Sequence, residues 1–382
     1  MIGPEPGNVP LAVYVHIPWC VHKCPYCDFN SHALKTTLPE KGYVRALLED
    51  LDEQKALAAG RKIGSIFIGG GTPSLFSGEA IDALLTGMRG ELDFAQDIEI
   101  TLEANPGAVD ADHFAAYRAA GVNRLSIGVQ SFNAEHLRAL GRIHDPAQAL
   151  HAYIIARAAG FENINLDLMF GLPGQHPDQA LDDLQQAVDL APQHLSWYQL
   201  TIEPNTLFYH QPPATPDEEH LWEIQQKGQG FLREMGYAQY EVSAYAQKGC
   251  NCKHNLNYWT FGDYLAIGAG AHAKVSTREG VIRYSRERHP QAYMQGPATR
   301  VNRRLLSAKD LQLEFMMNGM RLNEGVAARL FERRTGLSAE AMDRKVARAQ
   351  ELGLLERKRS WLQPSVKGWM FLNDLLMLFD EG

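Results

Sequence analysis

The chain has 382 residues, of which 45% are hydrophobic and 21% are charged, an ordinary globular balance that can bury a large core. A chain of this length folds into roughly two or three domains. The net charge of −8 argues against a broad nucleic-acid interface, because such surfaces are normally basic. No run of residues approaches the about 20 consecutive apolar positions that a membrane-spanning helix requires.

The five cysteines are crowded into two short clusters, Cys20, Cys24 and Cys27 in one and Cys250 and Cys252 in the other. An odd number at such close spacing is unlike the disulfide framework of a small secreted domain. The N-terminal segment lacks a basic stretch followed by an apolar one, so it predicts no secretory signal. Closely spaced thiols are more often metal ligands kept reduced, and the sequence therefore predicts a cytoplasmic protein.

Short apolar runs alternate with amphipathic segments over the first two-thirds of the chain. Strands are predicted at Leu11–Ile17, Ser65–Gly69, Asp97–Leu102, Arg124–Val129, Asn163–Phe170 and His194–Leu200. Helices are predicted between them at Tyr43–Ala59, Ala80–Leu92, Ala111–Ala120, Pro146–Ala159 and Pro177–Leu190. This alternation is typical of βα units and a parallel sheet. Six units favour an α/β fold with an open, partial (β/α)6 barrel, whose functional residues lie where strands end.

The pattern changes after about residue 205, and three domains are predicted: 1–237, 238–304 and 305–382. The middle region contains the predicted strands Leu265–Ala269 and Val281–Tyr284. The last region is predicted to contain a helix from Ser307 to Met320, helices at Val326–Thr335 and Ser338–Leu352, strands at Leu354–Lys358 and Trp361–Gln363, and a helix from Val366. This order predicts a winged-helix-like module, a shape that by itself does not decide function.

The first cysteine cluster lies in HIPWCVHKCPYCDFN, directly after the first predicted strand. Thiolates at Cys20, Cys24 and Cys27 suit an iron–sulfur centre, because soft sulfur ligands select such clusters. Three cysteines leave one iron of a [4Fe–4S] cluster without a protein ligand, and in radical-SAM proteins S-adenosylmethionine (SAM) chelates that iron. The alternative is a structural zinc ion with His16 or His22 as the fourth ligand, although zinc usually takes two separated ligand pairs.

Polar residues and glycines stand at the ends of the other predicted strands. The second strand ends in Gly69, Gly70 and Gly71, whose backbone N–H and C=O groups are expected to hold the amino-acid end of SAM. Glu103 and Gln130 stand at the ends of the third and fourth strands, Asp167 lies in the fifth, and Arg142 follows the fourth in LRALGRIH. A carboxylate for the ammonium of SAM and an arginine for its carboxylate are what this ligand requires. The alternatives are helix caps and a surface ion pair.

The sequence resembles the oxygen-independent coproporphyrinogen III oxidase family, and within it the heme-chaperone branch, over essentially its whole length. The motifs that carry the resemblance are YVHIPWCVHKCPYCDFNSH, IFIGGGTPS, GVNRLSIGVQSF, LGRIH, NLDLMFGLPGQ, LSWYQLTIEPNT and HNLNYW. It implies a partial (β/α)6 radical-SAM barrel. It also implies SAM contacts at Tyr14, Tyr26, Gly70, Gly71, Thr72, Glu103, Gln130, Arg142 and Asp167.

Two features separate the branches of this family. The oxidases resemble the chain through the triplet but carry a further cysteine two residues beyond it, where this sequence has Phe29. The segment HNLNYW resembles the H-N-x-x-Y-W signature of the heme-binding branch. The resemblance implies that His254, Asn255, Tyr258 and Trp259 bind heme, with His254 as an axial ligand and the aromatic rings stacking on the macrocycle. From the residues alone, His254 is more often a satisfied polar group.

Three functions follow as hypotheses. The first is a heme carrier that binds heme and transfers it to an acceptor protein, with SAM on the cluster. The alternative is an enzyme that catalyses the oxidative decarboxylation of coproporphyrinogen III. Whether the chain is an enzyme stays open at this point. The third hypothesis is a radical enzyme that modifies nucleic acid, and the net negative charge of the chain counts against it. The resemblance makes a homodimer plausible, and the role of Cys250 and Cys252 stays open.

Overall fold

The computed structural model describes residues 3–296, 302–358 and 360–380. The strands of its first part are β1 (Leu11–Ile17), β2 (Trp19–Cys20), β3 (His32–Ala33), β4 (Ile63–Gly70), β5 (Phe94–Ala104), β6 (Arg124–Gln130), β7 (Asn163–Phe170) and β8 (His194–Gln199). The helices there are α1 (Glu40–Gln54), α2 (Gly78–Glu91), α3 (Ala111–Ala120), α4 (Ala134–Ala139), α5 (Pro146–Ala158), α6 (Pro177–Asp189), α7 (Leu207–His210) and α8 (Glu218–Glu234). All six predicted strands are therefore present.

These six long strands, β1 and β4 to β8, lie side by side in chain order and are parallel. A helix returns the chain after each strand, so the carboxyl ends meet at one edge. The sheet has two free edges instead of closing on itself. The predicted partial (β/α)6 barrel is confirmed. Its strands form apolar runs because both faces are buried, with Val13, Ile66 and Leu125 fully enclosed.

The next region extends the same sheet at both ends. Its elements are β9 (Ala238–Glu241), β10 (Ala244–Ala246), α9 (Lys253–Trp259), β11 (Asp263–Ile267), β12 (His272–Thr277), β13 (Gly280–Ser285), α10 (Pro290–Met294) and β14 (Asn302–Leu305). Strand β10 pairs antiparallel with β8, and β11 pairs parallel with β1. The sheet thus runs β14-β13-β12-β11-β1-β4-β5-β6-β7-β8-β10-β9. The domain boundary at 237/238 stays a prediction, since pairing continues across it.

The last part contains α11 (Ala308–Gly319), β15 (Val326–Ala327), α12 (Arg329–Thr335), α13 (Glu340–Glu351), β16 (Trp361–Leu362), α14 (Val366–Met370) and α15 (Leu372–Asp380). Ser307 caps α11 as predicted. The predicted helix at Val326–Thr335 instead begins with β15, which pairs with β16. Gly325, at φ +66°, permits this pairing because a side chain there would collide with the Leu362 carbonyl.

The predicted strand at Leu354–Lys358 is reduced to one antiparallel bridge, Leu355 to Pro364. The described residues form three hydrophobic clusters. The largest fills the barrel, a second joins the C-terminal helices to Phe261 and Val281, and a small third one contains Leu140, Met169, Leu172, Leu200 and Phe208. In the described ranges no helix is long and apolar enough to cross a membrane.

Candidate functional site

The three predicted cluster cysteines lie on one loop at the carboxyl edge of the barrel. The loop leaves β1 and is closed at its base by the pairing of β2 with β3, with Cys20 opposite Ala33. Cys20, Cys24 and Cys27 all line one cavity of about 370 Å³. Its wall also carries all of the predicted SAM residues except Tyr14: Tyr26, Gly70, Gly71, Thr72, Glu103, Gln130, Arg142 and Asp167. Two of the four residues predicted to bind heme, Asn255 and Trp259, line it as well. The fold thus brings residues from distant parts of the sequence to one place.

The glycine end of β4 has a role different from the one predicted for its N–H groups. The Gly71 and Thr72 N–H groups donate to the carbonyls of Ile17 and Trp19, each at 2.7 Å. The Gly70 N–H donates to Glu103 Oε2 at 3.0 Å. A Cβ on Gly71 would lie 2.5 Å from the Trp19 carbonyl oxygen. These glycines therefore let the cysteine loop pack against β4, and their N–H groups are already used within the chain.

The thiols sit in a partly buried, hydrogen-bonded environment. Burial raises the pKa of Cys20 and of Cys27, while hydrogen bonding from Ser31 opposes the rise. Arg142 Nη1 donates a hydrogen bond to Cys24 Sγ at 3.6 Å. Among the described residues, no group of three or more His, Cys, Asp and Glu side chains is placed to hold a single metal ion. The thiolates of an iron–sulfur cubane bind different irons, so a cluster needs no such group.

Two buried carboxyls form the floor of the cavity. Burial, and then the nearby charge of Asp167, raise the pKa of Glu103 to about 8. Burial also raises the pKa of Asp167, which accepts hydrogen bonds from Ser126 Oγ at 2.9 Å and Asn165 Nδ2 at 2.8 Å. A cation placed between these carboxyls would relieve their desolvation and mutual repulsion. The floor therefore suits the positively charged end of a ligand.

The opposite charge comes from Arg142. Its Nη2 donates to the Gly128 carbonyl at 2.9 Å, and its Nε has no partner among the described residues. Gln130, held at φ +67°, accepts a hydrogen bond from Tyr198 O–H at 2.8 Å. A ligand with an ammonium, a carboxylate and hydroxyls, as SAM has, matches this set of groups.

Tyr14 does not line the cavity. Its hydroxyl hydrogen-bonds His16 Nδ1 at 2.9 Å, and its ring stacks on Phe67 with centroids 6.4 Å apart. Burial, and then the charge of Glu103, raise its pKa. Tyr14 therefore lies behind the site, next to residues that line it.

The HNLNYW segment forms most of helix α9, which is anchored by a carboxylate on β5. Glu99 accepts the N–H groups of Lys253 at 3.0 Å and of His254 at 3.1 Å, which satisfies the start of the helix. Asn255 and Trp259, four residues apart, face the cavity. Arg321 lies over the Trp259 ring, 4.3 Å from its centroid. Part of the motif thus forms a wall of the cavity that the cysteines line.

His254 and Tyr258 lie on the other side of α9. His254 is 2% exposed, and its Nδ1 hydrogen-bonds Ser65 Oγ at 3.1 Å. Its ring stacks on Phe67 at 5.0 Å and meets the Tyr258 ring edge-on at 4.6 Å. Burial, and then the charge of Arg124, lower its pKa to about 3. The imidazole is therefore neutral and enclosed, and it does not face the cavity.

The second cysteine pair does not act as one unit. Cys252 is buried, precedes α9 and lies 3.5 Å from Glu99 Oε1, and burial raises its pKa to about 12. Cys250 is partly exposed. Sequence reasoning missed Ser196, Tyr198, Arg321 and Glu241, which also line the cavity. The alternation of Ser196 and Tyr198 along β8 was a readable signal, whereas nothing in the sequence pointed to Arg321.

This fold and this site define a radical SAM protein. The model of the radical SAM superfamily matches residues 14–187, and the model of the HemN C-terminal domain matches residues 306–371. The superfamily implies SAM and a [4Fe–4S] cluster as cofactors, and the donor set around the cavity fits both.

Comparison with similar proteins places the chain in one family of this superfamily. The chain is 52% identical to the heme chaperone HemW of Escherichia coli, over 97% of this chain and 98% of that protein. It is 51% identical to the heme chaperone HemW of Haemophilus influenzae, over 98% and 99%. The solved structure of coproporphyrinogen III oxidase (HemN) from Escherichia coli superposes with a TM-score of 0.81 at 25% identity, over 98% of this chain and 91% of that one. The chain belongs to the heme chaperone HemW family.

Cysteine substitutions test the cluster ligands. Replacing any one of Cys20, Cys24 or Cys27 with Ala removes one of three protein ligands and should abolish a stable cluster after anaerobic reconstitution. Cys250→Ala, on a different loop, should retain it. Absorbance and iron content provide the readout, and a full cluster in a triplet variant would refute the assignment.

A glycine pair tests the packing of the cysteine loop. Gly71→Ala places a Cβ against the Trp19 carbonyl and should displace the loop. SAM binding should then weaken by about tenfold or more, which corresponds to at least about 1.4 kcal/mol. Gly90→Ala, in α2 with open space around it, is the matched control and should bind normally. Calorimetric titration with SAM measures both, and equal affinities would exclude a role for this contact.

The pKa of Glu103 predicts a pH dependence. In the SAM-free protein the folded state keeps a proton that the unfolded state releases near its ordinary value of 4.5, because the folded pKa is about 8. Stability should therefore fall as pH rises from about 5 to about 8. Glu103→Gln should flatten this part of the profile. Urea unfolding across the range measures it, with exposed Glu135→Gln as the control that keeps the slope.

Proposed function

We propose that this chain binds heme and transfers it to an acceptor protein, with SAM bound to a [4Fe–4S] cluster in the same chain. The full-length similarity to proteins named heme chaperone HemW, at 52% and 51% identity, supports this function. Similarity to the solved oxidase is lower, at 25%. The acceptor protein is a partner that the sequence does not identify.

The observation that carries the proposal is the position of Phe29. The resemblance places a further cysteine there in the oxidases, whereas here an apolar ring stands with 60% of its surface exposed. An exposed phenyl group offers a contact surface and no thiol chemistry. The loop keeps the cluster residues and lacks the oxidase's additional cysteine.

The cofactor assignments rest on the cavity. We assign the cluster to Cys20, Cys24 and Cys27. We assign SAM to the cavity residues Tyr26, Gly70, Gly71, Thr72, Glu103, Gln130, Arg142 and Asp167, with Tyr14 supporting them from behind. A [4Fe–4S] cluster held by these three thiolates would supply one-electron reducing chemistry next to the bound SAM. The chain's own residues pair charges with SAM and exclude water around it.

Further parts of the proposal concern partners and location. Four residues of α9 were predicted to bind heme. Asn255 and Trp259 face the cavity, whereas His254 and Tyr258 lie on the other side of the helix. Reduced thiols and cluster chemistry suit the cytoplasm. The net charge of −8 supports a function without nucleic acid. A homodimer is proposed by resemblance to the family.

Oxidative decarboxylation of coproporphyrinogen III is the second candidate, because the fold superposes on the oxidase with a TM-score of 0.81. One pair of assays distinguishes the heme carrier from the oxidase. Reconstituted protein should bind heme saturably, seen as a Soret shift in absorbance. It should form no protoporphyrinogen from coproporphyrinogen III with SAM and reductant under anaerobic conditions. Rapid product formation, or no saturable heme binding, would overturn the proposal.

A further inference from the structure

Gln130 lies at the end of β6, where the backbone departs from a regular strand. Between Ile127 and Gln130, β6 advances by three residues while its partner β7 advances by two, from Leu166 to Leu168. One extra residue of this kind is a β-bulge, which redirects the side chains that follow it. Gln130 itself has φ +67°, a conformation that costs free energy in a residue with a side chain. Contacts from neighbouring elements therefore have to hold this turn in place.

The turn brings two of the proposed SAM residues together. A Cβ added to Gly128 would lie 3.0 Å from Gln130 Nε2 and 3.5 Å from Arg142 Nη2, so the amide and the guanidinium both lie over this glycine. Arg142 Nη2 donates to the Gly128 carbonyl at 2.9 Å. His144 Nε2 donates to the next carbonyl, that of Val129, at 3.0 Å. The segment after α4 thus fixes one side of the bulge.

Asp183, in the middle of α6, fixes the other side. Its Oδ2 accepts a hydrogen bond from the Ser131 hydroxyl, and its Oδ1 accepts one from the Phe132 N–H, both at 2.7 Å. Ser131 Oγ in turn accepts the Asn133 N–H at 3.0 Å. Asp183 is 2% exposed, so these bonds are enclosed within the protein. The two residues that follow Gln130 are therefore both tied to one carboxyl group.

Packing of α6 on the sheet does not by itself account for a carboxyl group at this position. On the buried face of α6, Asp183 stands among apolar side chains: Ala180, Leu184 and Ala187. Burial raises the pKa of Asp183 to about 6, and the hydrogen bonds from Ser131 and Phe132 oppose the rise. A buried carboxylate costs free energy unless hydrogen bonds satisfy its oxygens. Here both oxygens are used to hold the turn after Gln130.

We propose that Asp183 is a positioning residue of the SAM site, which holds the turn after β6 and so directs the Gln130 side chain into the cavity. Asp183 is not one of the residues that line the cavity, and it acts through Ser131 and Phe132. The inference rests on the SAM assignment proposed above. It adds to that site a residue from a helix behind the sheet, outside every motif quoted from the sequence.

Anaerobic titration of the reconstituted full chain with SAM tests the proposal. Asp183→Asn keeps an acceptor for the Phe132 N–H but removes the carboxylate that binds both donors, and it should weaken SAM binding about tenfold, as loss of a supporting hydrogen-bond partner does in other cofactor sites. Asp182→Asn, at an exposed neighbour on the same helix, is the matched control and should bind as wild type. Cluster absorbance and iron content should stay unchanged in both variants, because the cysteine loop is a separate segment.

A double-mutant cycle distinguishes positioning from a general loss of packing. Gln130→Ala alone should weaken SAM binding. In that background no amide is left to misplace, so the addition of Asp183→Asn should change the affinity by less than about twofold. Ser131→Ala removes one of the two donors and leaves α6 unchanged. It should show the same dependence on Gln130 with a smaller effect, and it takes the place of Asp183→Asn if that variant does not fold.

Equal losses of SAM affinity on substitution of Asp183 in the wild-type and Gln130→Ala backgrounds would overturn the positioning role. Unchanged affinity in Asp183→Asn, or loss of its cluster, would overturn it as well. Each of these results leaves the SAM site itself standing. A wild-type chain that holds the cluster but binds no SAM would instead remove the SAM assignment, and this inference with it.

Discussion

The site depends on one backbone contact, between the end of β4 and the chain that enters the cysteine loop. Two hydrogen bonds, from Gly71 to Ile17 and from Thr72 to Trp19, extend the pairing of β1 with β4 beyond the strands themselves. Only a residue without a side chain fits at Gly71, because the Trp19 carbonyl occupies the position of its Cβ. This contact holds the three thiols over the carboxyl ends of the parallel strands, where the polar residues of four other strands converge.

Beneath the cavity, a chain of largely enclosed hydrogen bonds joins Asp167 to the start of α9. Asn165 Nδ2 donates to Asp167, and Asn165 Oδ1 accepts from His194 Nδ1 at 2.6 Å. His194 Nε2 then accepts from Tyr240 O–H at 2.9 Å, and that hydroxyl accepts the Cys252 N–H at 3.4 Å. The donors and acceptors along this path are mutually consistent, with the Tyr240 hydroxyl donating to His194 and accepting from Cys252. A change in the charge of Asp167 therefore polarises a path that ends at the motif helix.

The sequence was sufficient for features set by local pattern. The six barrel strands were readable because both of their faces are buried, and the cysteine triplet could be recognised from its spacing as a candidate cluster site, with zinc as the alternative. Long-range pairing was not readable: β11 joins the barrel beside β1, and no local signal in residues 263–267 distinguishes a parallel partner from an antiparallel one. The partners of the glycine N–H groups were not readable for the same reason, since Gly70 bonds Glu103 and Gly71 bonds Ile17, both far along the chain.

The HNLNYW segment shows how one motif can place its residues on two faces of a helix. A helix places residues four apart on one face, so the motif contains two pairs, His254 with Tyr258 and Asn255 with Trp259, that point in different directions. The first pair packs on Phe67 of β4, and the second lines the cavity. Packing of the first pair sets the rotation of α9 and thereby the position of the second. The buried His254 therefore helps to orient the cavity wall, because its hydrogen bond to Ser65 and its stacking on Phe67 hold α9 against β4.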